Sequence, residues 1–191
     1  MISIALNPLM FKAVAPLEAW IRAHPRLLRM LERSRDPLAE LPVTVEPRRV
    51  TSHVVVVGYG RVGRRIAEAL AAEGHDFVVA EQNREIVERL RARGHHAVAG
   101  DASDPAVLIQ AHVARARVLV IAIPSTFQVR QMIEIARTLN PDIETVVRTH
   151  SEDEAALLRS ENAGTVFLGE HELAMAMARF VLEKAAPPAA I

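Results

Sequence analysis

Between Thr51 and Lys184, short runs of apolar residues alternate six times with longer segments of helical periodicity. Four of the runs are rich in valine or isoleucine and too short for helices, which is typical of parallel strands buried on both faces. Six successive βα units predict an α/β fold of the Rossmann type, a doubly wound parallel sheet with strand order 3-2-1-4-5-6. The predicted strands are 53–58, 77–81, 96–100, 118–124, 145–149 and 165–169, and the predicted helices are 61–73, 84–93, 104–112, 126–139, 152–162 and 170–184.

Start and stop residues flank several of these helices. Ser103 and Ser125 are candidate N-caps of the third and fourth helices, and Ser151 with Glu154 forms a capping box at the fifth. A glycine just past a helix adopts left-handed backbone at little cost. We therefore expect the first, second and fifth helices to stop at Gly74, Gly94 and Gly164.

The first predicted strand runs directly into a GxGxxG pattern that opens the first helix, with the sequence Gly58-Tyr59-Gly60-Arg61-Val62-Gly63. In this context Gly58 permits a tight turn, Gly60 lets the backbone approach a pyrophosphate, and Gly63 lets the helix pack closely on the strand. A phosphate would then bind free amide groups at the helix N-terminus. The motif predicts a nucleotide-binding loop over residues 58–63.

Glu81 ends the second strand 18 residues after Gly63, close to the offset of about 20 expected for the acid that binds ribose. A carboxylate there accepts hydrogen bonds from ribose hydroxyls and repels a 2′-phosphate, which favours AMP, ADP, ATP or NAD(H) over NADP(H). Arg84 is near enough to soften this preference. Gln82 is included in the predicted site, and a surface position at a helix start is the alternative role for Glu81.

Other segments reach the same edge of the predicted sheet, because the carboxyl ends of strands 1, 2 and 3 line one crevice. Gly100 belongs to this edge, and the Asp101 carboxylate and the Ala102 amide are expected to bind the adenine edge or the ribose. Ile123 and the proline after it would form the floor across the switch point. Arg148 would reach a phosphate or an acidic partner, with a structural ion pair as the alternative.

The composition leaves little chemistry for catalysis. The 191 residues include no cysteine, which excludes disulfides, thiolate nucleophiles and cysteine-ligated metals. Both lysines, Lys12 and Lys184, lie outside the crevice, and the one tyrosine, Tyr59, lies inside the glycine loop, so a Tyr-Lys proton relay is excluded. The 23 basic and 23 acidic residues balance, which gives no general attraction to nucleic acid. We predict neither an enzyme nor a nucleic-acid-binding protein.

Histidines offer no clear alternative chemistry. His95 and His96 are adjacent in a strand and point to opposite faces, so no metal site is predicted. His150, near the mouth of the crevice, is the single acid–base candidate, and nothing in the sequence provides it with a substrate pocket.

Residues 1–50 have a different character. Residues 1–11 are almost entirely apolar but only about half as long as the roughly 20 residues that span a bilayer, as expected for the end of a membrane helix. The helical pattern over 16–33 fits a solvated linker helix or a basic stripe facing anionic lipid. Prolines within 34–49 indicate a stiff linker, so we predict a domain over 51–184 and a disordered tail over 185–191. The stripe consists of Arg22, Arg26, Arg29 and Arg33.

The motifs GYGRVG, VVAE, GDASD and VVRTHSEDE together resemble the TrkA-N or RCK domain, the regulator of conductance of potassium. Within that family, the Kef-type cation:proton antiporters of the CPA-2 group, including the YbaL-like branch, are the most similar. Residues 1–11 resemble the end of the last membrane helix of those antiporters, and the resemblance covers residues 1–184. Many relatives have aspartate where this chain has Glu81, and the longer side chain gives the ribose contact a different reach.

The resemblance implies a homodimer of Rossmann domains at the cytoplasmic face of the cell membrane, which binds an adenine nucleotide (AMP, ATP or NAD(H)) and gates potassium or other monovalent cation:proton antiport. The membrane transporter domain would belong to the same polypeptide or to an adjacent gene product. By the same resemblance, the glycine loop would hold phosphate, Glu81 ribose, and Asp101 with Ala102 the adenosine.

The last predicted helix has an apolar side formed by Leu173, Met177, Phe180 and Val181. In relatives the corresponding helix exchanges contacts between subunits, and packing against the sheet is the alternative.

Two other functions also stay open. One is a small NAD-dependent oxidoreductase, which needs a cleft for a carbonyl substrate. The other is a soluble Trk-type potassium-uptake subunit, which would leave the apolar residues 1–11 unexplained.

Overall fold

The computed structural model describes residues 37–41, 50–123 and 125–185. One sheet contains six parallel strands in the order β3-β2-β1-β4-β5-β6, which confirms the predicted Rossmann-type fold. The strands are β1 (Val54–Val57), β2 (Phe77–Glu81), β3 (His96–Ala99), β4 (Val118–Ile121), β5 (Glu144–Thr149) and β6 (Thr165–Leu168). The helices are α1 (Arg61–Ala72), α2 (Arg84–Ala92), α3 (Pro105–Gln110), α4 (Thr126–Leu139), α5 (Glu152–Ser160) and α6 (Gly169–Ala185), with a 3-10 turn at Val113–Arg115.

Several predictions fall outside the described residues. They are the apolar start at 1–11, the helix over 16–33 with Arg22, Arg26, Arg29 and Arg33, the linker at 34–36 and 42–49, Pro124 and the tail at 186–191. None of the helices in the described ranges combines the length and the apolarity that crossing a bilayer requires.

The central strands are buried because crossover helices cover both faces of the sheet. Val55 pairs with Val78 of β2 and Leu119 of β4, and none of the three is accessible to solvent. One core cluster lies under α1 and α2, and the other lies under α3, α4 and α5. Because the crossovers are right-handed, α1 and α2 pack on one face of the sheet and α3, α4 and α5 pack on the other. The part of the α1 and α2 face that is formed by β4, β5 and β6 therefore has no crossover helix of its own.

The start of α3 differs from the prediction. Asp104, not Ser103, is the N-cap, and its carboxylate accepts a hydrogen bond from the Ala106 amide at 2.9 Å. Ser103 donates its hydroxyl to the Asp101 carboxylate instead. Both arrangements satisfy local polar groups, and aspartate is at least as good an N-cap as serine.

The two later helix starts follow the prediction only in part. Ser125 is the N-cap of α4, but its side chain makes no capping hydrogen bond. Ser151 accepts a hydrogen bond from the Glu154 amide, as predicted. The Glu154 carboxylate accepts from the Thr149 hydroxyl at 2.7 Å, so the serine half of the capping box forms and the glutamate half is replaced.

Two of the three predicted stop glycines end helices. Gly74 and Gly94 follow α1 and α2 with φ of +73° and +81°. After α5 the left-handed residue is Asn162, with φ of +54°, so the prediction for Gly164 is wrong. A Cβ at Gly164 would lie 2.2 Å from the Thr145 carbonyl oxygen, so this glycine allows β5 to approach closely.

Residues 37–41, assigned to the linker from sequence, lie against the edge strand β3. The Ala99 amide donates to the Leu38 carbonyl at 2.7 Å. The Arg91 guanidinium donates to the carbonyls of Pro37, Leu38, Glu40 and Ala97 at 2.6–3.1 Å. One side chain on α2 thus joins this segment to the sheet.

The last helix, α6, buries no residue of its own. Its apolar side chains are between half and three-quarters exposed, with Leu173 at 62%, Met177 at 61%, Phe180 at 61% and Val181 at 59%. The alternative that this helix packs its apolar side against the sheet of the same chain is therefore wrong.

Candidate nucleotide site

A crevice of about 240 Å³ opens at the carboxyl ends of β1 to β4, at the switch point between β1 and β4. The loops that follow four strands lie at this edge of the sheet, so residues far apart in sequence meet there. The crevice is lined by Val57, Gly58, Ala80, Glu81, Gln82, Gly100, Ala102, Ile123, Ser125, Gln128 and Met132.

The tight turn at Gly58 and the close packing at Gly63 agree with the sequence prediction. Gly58 has φ of +86°, and a Cβ there would lie 2.7 Å from Ile123 Cγ2. A Cβ at Gly63 would lie 1.9 Å from the Gly58 carbonyl oxygen, so α1 packs against the loop as only glycine allows. Gly60 is the N-cap of α1, and its missing side chain faces open space.

The amide groups at the start of α1 have no side-chain cap. The first amides of a helix have no partner within the helix and carry the positive end of its dipole. With open space at Gly60, they are accessible to an anion. Arg61 is exposed next to them.

Glu81 connects β2 to the glycine loop. Its Oε2 accepts a hydrogen bond from the Tyr59 amide at 2.6 Å, and its Oε1 accepts from the Asn83 amide at 2.9 Å. Each carboxylate oxygen can accept a second hydrogen bond. The side chain is therefore oriented at the crevice with acceptor capacity left for a ligand.

Asp101 does not line the crevice; its neighbours Gly100 and Ala102 do. Its Oδ1 accepts from the amide and the hydroxyl of Ser103. Its Oδ2 accepts from Gln128 Nε2 at 3.3 Å. Hydrogen bonds from Ser103, with smaller contributions from Gln82 and Gln128, lower the pKa of Asp101 below its usual value.

Sequence reasoning missed the wall that α4 supplies. Ser125, Gln128 and Met132 follow one another at helical spacing and line the crevice. The signal that could have identified them is the position of α4 directly after β4 at the switch point, where spacings of three and four select one face.

The family model for the TrkA-N domain matches residues 54–169, from the start of β1 to the start of α6. This chain belongs to the TrkA-N family. The match covers more than half of the chain, and it contains every residue of the crevice described above.

Two curated relatives are similar to this TrkA-N chain over most of its length. YbaL of Escherichia coli (strain K12), classed as a cation/proton antiporter, is 36% identical over 177 residues, which is 92% of this chain and 30% of YbaL. The glutathione-regulated potassium-efflux system protein KefC of Cronobacter sakazakii is 28% identical over 158 residues, 83% of this chain and 25% of KefC. The chain thus spans about a third or less of the length of these relatives.

Solved structures give the same result for the fold. The TrkA-N domain of the E. coli inner membrane protein YbaL has a TM-score of 0.65 at 38% identity and covers 68% of this chain and 96% of its own. The AMP-bound Kef C-terminal domain of Shewanella denitrificans has a TM-score of 0.60 at 21% identity, over 71% and 82% of the two chains. The NAD-bound GsuK channel has a TM-score of 0.56 at 23% identity, over 84% and 28%.

Two predicted site residues of this TrkA-N domain line a different surface. Val62 and Arg148 line a separate, almost wholly apolar groove of about 290 Å³ with Ile66, Val120 and Phe167. The groove lies on the half-face of β4, β5 and β6 that no crossover helix covers. Arg148 Nη2 is 3.4 Å from Nδ1 of the exposed His150.

Acid–base and metal chemistry are sparse at the crevice of the TrkA-N domain. Glu81 is the single ionisable residue among the described residues that line it. Within the described ranges, no cluster of three or more histidine, aspartate or glutamate residues is arranged to hold a metal ion. His95 lies near the ring of Phe77, with centroids 5.4 Å apart.

Proposed function

We propose that this chain is the adenine-nucleotide-binding regulatory domain of a monovalent cation:proton antiporter, that it gates transport, and that it lies at the cytoplasmic face of the cell membrane. The observation that carries the nucleotide proposal is the meeting of three groups at one crevice. These are the uncapped start of α1 behind Gly60, the Glu81 carboxylate, and the wall formed by Gly100 and Ala102.

The phosphate would bind at the start of α1. Amide groups there are uncapped, and the open space at Gly60 lets an oxyanion approach the backbone. Arg61, exposed in the same turn, adds a positive charge. The crevice itself is smaller than the roughly 300–1,000 Å³ of most ligand pockets, which suits a nucleoside in the crevice with its phosphates outside, over the loop.

The ribose would bind Glu81. The carboxylate is held by the Tyr59 and Asn83 amides, and its remaining lone pairs can accept from the 2′- and 3′-hydroxyls. A 2′-phosphate would place negative charge beside this carboxylate, so NADP(H) is disfavoured. AMP-bound and NAD-bound relatives of the same fold support an adenine nucleotide without selecting one.

The nucleotide proposal is tested by calorimetric titration with AMP, ADP, ATP, NAD⁺, NADH and NADPH. We expect at least one adenine nucleotide to bind, and NADH to bind more tightly than NADPH. Glu81→Ala should weaken binding by about tenfold because charge-assisted hydrogen bonds are lost. Glu88→Ala, exposed on the outer side of α2, is the matched control and should bind normally. Absence of heat with all six compounds would contradict the proposal.

We further propose that two copies associate through α6. Among the residues that the structure describes, each copy leaves two apolar surfaces uncovered, the exposed side of α6 and the groove of Val62, Ile66, Val120 and Phe167. Both are rich in apolar side chains, whose removal from water lowers the free energy. A second copy supplies a helix for each groove and a groove for each helix, which gives a closed, symmetric dimer.

Analytical ultracentrifugation tests this association. We expect the wild-type chain to sediment as a dimer at micromolar concentration and a Met177→Glu/Phe180→Glu variant to sediment as a monomer. Because no residue of α6 is buried within one chain, the variant should keep its circular dichroism spectrum. Glu183→Gln on the same helix is the control. A wild-type monomer, or a variant that remains dimeric, would contradict the proposed interface.

Regulation would follow from linkage between the nucleotide and the arrangement of the two domains. A ligand changes transport only if it binds two arrangements with different affinities, and such coupling is typically about 1–3 kcal/mol. Cation flux in proteoliposomes of the full-length transporter, with and without the bound nucleotide, tests this step; equal flux would contradict it.

The sparse ionisable lining of the crevice disfavours an oxidoreductase. An oxidoreductase would be detected by turnover of NADH.

A further inference from the structure

Asp101 and Gln128 form a polar pair at the wall of the crevice that the proposed phosphate and ribose contacts do not use. Gln128 lines the crevice from α4, and its Nε2 donates to Asp101 Oδ2 at 3.3 Å. Asp101 itself lies behind the wall and is anchored through Oδ1 by the amide and hydroxyl of Ser103. The carboxylate therefore has a fixed position from which it contacts Gln128.

The carboxylate determines which way the Gln128 amide points. The amide group of glutamine has one end that donates and one that accepts, and only the NH₂ end can bind an ionised carboxylate. Asp101 is ionised at neutral pH, and hydrogen bonds from Ser103 lower its pKa further below the usual value. The amide oxygen, Oε1, is consequently the end of Gln128 that is left for a ligand, and it accepts no hydrogen bond from the described residues.

We propose that Gln128 selects adenine over 6-oxopurines, with Asp101 as the residue that positions it. This inference rests on the proposed nucleotide site. A base beyond the Glu81-bound ribose would lie between Gly100, Ala102 and Met132, beside Gln128. The 6-amino group of adenine donates to Oε1, whereas the 6-oxo group of hypoxanthine or guanine places an acceptor against an acceptor.

The recognition is directional because Gln128 cannot simply reverse. A reversed amide would turn its oxygen toward the Asp101 carboxylate, and two acceptors would then face each other. A site that is built to accept from a ligand amino group discriminates against an analogue lacking it, because a polar group is left unpaired. Preference for adenine thus depends on Asp101 although Asp101 does not line the crevice.

The test compares AMP with inosine monophosphate, which differs from AMP in the group at C6 and the proton on N1. We expect the wild-type chain to bind AMP more tightly in calorimetric titration. Gln128→Leu should reduce the ratio of the two affinities by about fivefold to tenfold. Asp101→Asn should reduce the ratio in the same direction, because an asparagine amide allows Gln128 to turn over.

Gln131→Leu is the matched control. Gln131 is on the same helix and donates to the Ser103 carbonyl at 3.1 Å, and it does not line the crevice. The control should keep the wild-type ratio, and thermal unfolding should confirm that all variants are folded. Equal wild-type affinities for AMP and inosine monophosphate, or an unchanged ratio in Gln128→Leu, would overturn this inference alone. Failure of both compounds and all other adenine nucleotides to bind would overturn the proposed function and, with it, this inference.

Discussion

Gly60→Asp is expected to leave the domain folded and to weaken nucleotide binding strongly. Gly60 is the N-cap of α1 with φ of −78°, and a Cβ there meets no heavy atom within 4 Å. Aspartate is a favoured N-cap and would bind the helix amides itself. Its carboxylate would occupy the place of the phosphate and repel it, so we expect a loss of about 100-fold in affinity for adenine nucleotides.

Calorimetry and thermal unfolding of the same protein separate the two effects. The unfolding temperature should stay equal or rise slightly, while the binding heat disappears. Gly60→Asn is the control, since it adds a side chain of the same shape without the charge and should weaken binding less. Unchanged nucleotide affinity in Gly60→Asp would mean that phosphate does not bind at the start of α1.

Gly63→Ala is expected to destabilise the domain by about 3 kcal/mol, near the upper end of the cost of overpacking. The added Cβ would lie 1.9 Å from the Gly58 carbonyl oxygen and 3.4 Å from the Ala122 Cβ. Backbone cannot yield as a flexible side chain does, so α1 must move away from β1. This cost exceeds the gain of about 1 kcal/mol in helix propensity that alanine normally brings.

Chemical denaturation measures this difference, and Gly74→Ala is its control. Gly74 has φ of +73° and open space around it, so alanine there costs only the left-handed backbone, about 1–2 kcal/mol. If backbone conformation alone mattered, Gly74 would be the more sensitive site, because Gly63 has no positive φ. A free energy of unfolding for Gly63→Ala equal to or above that for Gly74→Ala would contradict the packing argument.

The fold could be predicted from sequence because its signals are local. Valine-rich runs such as 54–57 specify buried strands, and the glycine pattern identifies the first βα turn. The boundaries agree to within two residues except at β4, which ends at Ile121 rather than at 124. There the chain leaves the sheet to enter the wall of the crevice, and apolar residues continue past the last strand pairing.

The site was less predictable because competing partners are not visible in a linear pattern. Asp101 stands at a typical position for ligand contact, yet Ser103, two residues away, satisfies one of its oxygens. Arg148 lies near the carboxyl end of β5, the strand next to β4, but its side chain lines the apolar groove and not the crevice. An apolar helix face such as that of α6 looks the same whether its partner is the same chain or another.

The contacts of Arg91 have a consequence for where this domain begins. An outer strand exposes a row of amides and carbonyls that can recruit other chains into a growing sheet. Residues 37–41 lie on that row at β3, although the family match begins only at residue 54. A shortened protein cut at the start of the match would remove these residues and open β3 to self-association. It would also remove the carbonyls of Pro37, Leu38 and Glu40, which accept hydrogen bonds from the Arg91 guanidinium.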